Sequence, residues 1–89
     1  MENNYKSLFS EFIKKQMVIL GPGVALSKAQ KIRGLTVDNQ GQVSTIISDP
    51  KLMLKKLTED FMEFSGHLAR ESMQMLLSDY PEIAKEISK

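Results

Sequence analysis

The only histidine of the chain, His67, stands between Glu63 and Glu71 in a Glu-x3-His-x3-Glu run. Imidazole and carboxylate both ligate divalent cations, and a helix through this stretch would put all three groups on one face. Ligands at i, i+4 and i+8 nevertheless stretch along about 12 Å of helix axis, so one ion reaches only two of them. The expectation is a solvated or ion-paired face, with Arg70 as a nearby cation, and no metal. The chain has no cysteine and no serine in a recognisable nucleophile turn, so a nucleophile–base–acid arrangement is not expected. Glu59, Asp60 and Glu63 are candidates for paired-carboxylate acid–base work. Their places beside Phe61 and Phe64 read instead as the wet side of a helix.

Gly21-Pro22-Gly23 resembles a phosphate-cradling loop only in its glycines. No strand precedes it, and Gly23-Val24-Ala25-Leu26-Ser27-Lys28 lacks the Gly-Lys-Ser/Thr ending. The tripeptide is read as punctuation between helices. No catalytic residue and no cofactor is expected, and a small-ligand or metal-dependent enzyme centred on His67 is the third-ranked reading.

Cations are the other chemically suggestive group. Lys28, Lys31, Arg33, Lys51, Lys55 and Lys56 are candidates for a nucleic-acid face. Against it stand a pI near 8.0, only two arginines, and lysines that do not alternate with exposed aromatics. Charge is unevenly placed. Residues 1–56 hold nine Lys/Arg against four Asp/Glu, and residues 57–89 hold three against seven, for a net +1 overall. The halves are expected to neutralise one another or face water, and a surface of mixed sign also orients an assembly.

The elements that must position these groups follow from periodicity. Asn3 or Asn4 can cap a helix whose apolar positions Tyr5, Leu8, Phe9, Phe12, Ile13, Met17 and Leu20 form one stripe. Gly21 in a left-handed conformation and Pro22 end it. Val24 to Lys31 forms a shorter helix with Ala25, Leu26, Ala29 and Ile32 inward, ending near Gly34. The period then changes. Leu35-Thr36-Val37 and Val43-Ser44-Thr45-Ile46-Ile47 flank Asp38-Asn39-Gln40-Gly41, which suits a type I turn closed by a left-handed glycine bulge. Ser48-Asp49-Pro50 starts another helix. Its apolar stripe runs through Leu54, Leu57, Phe61, Phe64 and Leu68 to Met75 and Leu76, and it stops near Asp79 ahead of Pro81. Pro81 to Ser88, with Ile83 and Ile87 four apart, forms a last short helix.

The fold class is therefore α+β, in one domain over residues 1–89, ordered helix, short helix, β-hairpin, long helix (continuous or kinked), short helix. An unbroken helix after Pro50 would run roughly 45 Å, against a diameter of about 30 Å for a domain of this size. Either it breaks at Ser65-Gly66, or its far half packs on another chain. Leu68, Met73, Met75, Leu76 and Leu77 are too apolar for water, and the methionines suit adaptable interfaces. These five residues are expected to form or border a contact between copies, with Ile46 or Ile47 joining if the hairpin edge pairs. The expected function is a non-catalytic oligomerising interaction or regulatory module, most simply a homodimer, with a higher oligomer or an unidentified protein partner as variants. A small nucleic-acid-associated protein is the alternative. No apolar run exceeds Met17-Val18-Ile19-Leu20, and Met1-Glu2-Asn3-Asn4-Tyr5, with no basic stretch followed by an apolar one, is not expected to be a secretory leader. No membrane contact is expected. Lack of cysteine fits a reducing compartment, so a cytoplasmic location is expected.

Overall fold

A computed structural model describes residues 2–88. The first helix, α1 (Glu2–Leu20), is the element on which the rest assembles: α2 (Pro22–Gln30), β2 (Val43–Ile46), α3 (Pro50–Ser65) and α4 (His67–Leu77) all pack on it. The reason is its stripe. Tyr5, Leu8, Phe9, Phe12 and Ile13 are fully buried, while Met17 and Leu20 lie partly buried at the far end. The helix already exists at Glu2, so neither Asn3 nor Asn4 caps it. Gly21, at φ 91° and ψ 146°, lies outside the left-handed helical basin expected of it. Its N–H donates to Met17 O at 3.0 Å and its carbonyl accepts from Ala25 N at 3.1 Å, so one residue closes α1 and begins α2.

The strands β1 (Leu35–Val37) and β2 pair antiparallel, with Leu35 opposite Ile46, Thr36 opposite Thr45, and Val37 opposite Val43. Leu35, Val37, Val43 and Ile46 turn inward, and Thr36, Ser44 and Thr45 face outward. A register shift after Thr36 absorbs the extra residue of β2. The turn forms as expected: Gly41 N donates to Asp38 O, and Asp38 Oδ1 accepts from Gln40 N and Gln42 N at 2.8 and 2.9 Å. Those amides hold the Asp38 carboxyl below its ordinary pKa. Both sheet edges carry side-chain partners, since Ser10 Oγ accepts from Val43 N at 2.9 Å and Gln30 Nε2 donates to Val37 O at 3.3 Å. Capped edges are poor templates for another strand.

Asp49 caps α3 by accepting from Lys51 N at 3.0 Å, with Pro50 in the first turn. The long helix does break. Gly66 at φ 57° and ψ −133° separates α3 from α4, and the two halves pack against one another. The chain fits within 34 × 25 × 18 Å, so no half-helix overhangs. This corrects the expected interface at two places. Met73, at 2% exposure, and Ile46 lie in the chain's own core, because the break turns Met73 back toward α1 and α3. Leu76 and Leu77 are partly buried against that core, whereas Leu68, Met75 and Ile47 are exposed. The stripe drawn through Phe64 and Leu68 is also interrupted, and both are about half exposed.

The last helix, α5 (Pro81–Ile87), is fastened by two phenols. Tyr5 Oη on α1 donates to Glu86 Oε1 at 2.8 Å, and Tyr80 Oη donates to Glu11. Burial, then the bond to Glu86, pushes the Tyr5 phenol up to about 12. Burial, then the bond to Glu11, does the same for Tyr80. A phenol whose folded pKa exceeds its unfolded value near ~10 stabilises fully below that pH. The contribution is lost as pH rises from about 10 toward about 12. Tyr5→Phe is therefore expected to unfold at lower urea than wild type at pH 8, with the gap narrowing above pH ~10. A gap constant across that range would contradict the fastening.

Candidate functional site

Two surfaces gather residues with chemistry to offer. The larger is a groove of about 730 Å³ between α3, α4 and α5. Its floor is apolar, made by Leu54, Met62, Met73 and Leu77, and Leu52 stands on its rim at 66% exposure. Lys51, Lys55 and Glu59 descend one side along α3, and Arg70 and Gln74 stand across on α4. Among the described residues, Lys51, Lys55, Glu59 and Arg70 form no ion pair within 4.0 Å. The groove exists because the break at Gly66 lays α4 beside α3 while α5, held by Tyr5, closes only one end. Concave apolar volume with a few polar groups on its rim is what a ligand or a partner side chain fills.

The second surface lies where α2 meets α3. Lys28, Lys31, Arg33 and Lys56 surround a cleft of about 330 Å³, with Asp60 as the acid among them. An adjoining hollow of about 450 Å³ shares Lys28 and Lys31 and adds Val24 and Phe64. The Phe64 ring is 51% exposed, with Lys28 Nζ 5.2 Å from its centroid, a cation–π contact. Lys28 also meets Glu63 at 3.4 Å, and Lys56 meets Asp60 at 3.4 Å. Lys31 and Arg33 have no acidic partner within 4.0 Å among the described residues.

Four of the six expected cations therefore converge. Lys51 and Lys55 do not, because they lie on the groove side of α3. The Glu63–His67–Glu71 run is divided by the helix break, and Glu63 pairs with Lys28, not with Arg70. Among the described residues no three His, Cys, Asp or Glu groups stand close enough to hold one ion. Asp60 and Glu63, weighed above as acid–base candidates, are each engaged by a lysine. No helix among the described residues is long and apolar enough to cross a membrane.

Leu52, Met62 and Phe64 were absent from the expected site. For Leu52 the signal was present: with Leu54, Leu57 and Phe61 facing the core, a leucine two residues before Leu54 falls on the opposite side of the helix. Phe64 carried no such signal, because its exposure follows from the break two residues later. Compared with known proteins, the chain matches no family model, no curated protein and no solved structure.

Proposed function

We propose that this chain is a non-catalytic interaction module of a regulatory kind, and that it works as a self-associated species, most simply a homodimer. The groove between α3, α4 and α5 supports this reading: an open apolar floor beside a two-thirds exposed leucine is surface that association would remove from water. Leu68 and Met75, seven residues apart on α4 and both exposed, offer further apolar surface on the same molecule. Light scattering across a concentration series tests the reading. The expected mass rises above 10.1 kDa at micromolar concentration. A 10.1 kDa particle throughout would sink it.

The cationic cleft favours a second reading, contact with single-stranded nucleic acid. An exposed ring with unpaired Lys31 in the same hollow and unpaired Arg33 in the adjoining cleft is an arrangement on which a base stacks while its phosphates are neutralised. Binding of a labelled single-stranded oligonucleotide should then fall steeply with added salt and be lost in Lys31→Glu/Arg33→Glu. A flat titration at low salt excludes it.

A further inference from the structure

The groove-side face of α3 carries Leu52, Lys55, Glu59 and Met62 at spacings of three, four and three. That is the seam spacing of helices that pack side by side. Leu52, Lys55 and Glu59 are exposed and Met62 is partly buried against the core, while Met53, Leu57 and Phe61 are buried within it and Leu54, also buried, reaches the groove floor. Read from either end, the face has the same plan: apolar, charged, charged, apolar. The charges are of opposite sign.

A surface with that plan is complementary to itself under a two-fold axis. Placed antiparallel, with the axis level with Leu57, Leu52 of one copy faces Met62 of the other. Lys55 then faces Glu59, and each of these contacts occurs twice, as a two-fold interface requires. A parallel arrangement would set Lys55 against Lys55 and Glu59 against Glu59. Neither Lys55 nor Glu59 has an ion-pair partner within 4.0 Å in its own chain among the described residues. The seam also borders the groove, so a helix laid along it covers part of the apolar floor.

We infer that the occupant of this surface is a second copy of the chain, bound through an antiparallel α3–α3 contact with two reciprocal Lys55–Glu59 pairs. This rests on the self-association proposed above and specifies its geometry. The apolar ends and the groove supply affinity, and the charged centre sets orientation and register.

Charge exchange tests it without disturbing the core. Lys55→Glu sets four carboxylates at the centre of the dimer, and Glu59→Lys sets four ammonium groups there. Each variant alone is expected to weaken self-association at least about tenfold. An equimolar mixture of the two restores both pairs, so light scattering of the mixture should return to the wild-type mass. Lys55→Glu/Glu59→Lys should associate as wild type does. Far-UV circular dichroism verifies that each variant remains folded. Single variants that associate like wild type, or a mixture no better than its components, overturn the α3–α3 contact while leaving self-association standing. A wild-type chain that stays at 10.1 kDa overturns both.

Discussion

Phe61→Ala is expected to lower folding stability by about 3–5 kcal/mol, the usual range for emptying a buried phenylalanine site. Phe61 has no exposed surface, and its ring meets Phe12 edge-to-face at 5.6 Å and 82°. That contact joins α3 to α1, the helix on which most other elements pack, so the cavity would open at the centre of the molecule. A chain of this length has roughly 4–13 kcal/mol in total, so the loss is a large share of it. In urea, with a slope near ~1 kcal/mol per molar for a small protein, the midpoint should fall by roughly 3 M or the variant should be unfolded in buffer. Phe61→Leu fills most of the volume and should cost about half as much or less. An alanine variant that lost under ~1 kcal/mol would mean the ring is not packed as described.

Gly41→Val should rank second. Gly41 is buried at φ 85°, a conformation that costs an L-residue about 1–2 kcal/mol and suits a β-branched one least. A Cβ there would lie 2.9 Å from Met17 Sδ, 3.3 Å from Lys14 Cγ and 3.4 Å from Ile13 Cγ2. The thioether and the exposed lysine stem can move aside, but Ile13 is fully buried and cannot. Alanine is thus expected to cost about 2 kcal/mol, mostly backbone strain, and valine about 3 kcal/mol or more as its methyls reach Ile13. Melting temperature should drop by roughly 4–8 °C per kcal/mol. Gly41→Asn separates the causes, because asparagine tolerates this backbone better and keeps only the contact. If asparagine were as costly as valine, crowding and not strain would be the reason.

What was legible in the sequence was local. Asp38 to Gly41 and Ser48-Asp49-Pro50 each contain the side chain that closes their own hydrogen bonds, so turn and cap could be read without the rest of the molecule. The α1 stripe was legible for a similar reason, since one period runs through nineteen residues. The break at Gly66 could be named only as one of two options, because glycine permits a corner without stating where the chain goes next. That direction decided the rest. It sent Met73 inward and left Phe64 and Leu68 out, reversing the even stripe that periodicity implied. The cationic cleft was half legible: the residue types were evident, but their grouping depends on α2 and α3 both packing on α1, so that Lys28 reaches Glu63 and Phe64 across the gap, a tertiary fact. Ser10 and Gln16 were invisible as polar core members. Gln16 is fully buried, with Oε1 accepting from Ser65 Oγ at 2.8 Å and Nε2 without a partner among the described residues, and nothing in helix periodicity marks such a residue.

The corner between Ser65 and His67 has a consequence for how many chains share one core. Nothing lies within 4 Å of a Cβ built on Gly66, so only its backbone angles oppose a side chain there. Alanine would favour continuing the helix by about 1 kcal/mol and would resist the φ 57° bend. Straightened, Pro50 to Leu77 would run about 42 Å, beyond the 34 Å length of the folded chain. Met73 and Ile83 would then be carried out of their own core and would find the equivalent vacancy in a neighbouring molecule. Gly66→Ala is accordingly expected to drive domain swapping, an exchange of α4 and α5 between chains that appears as a slowly interconverting dimer insensitive to charge exchange at Lys55 and Glu59.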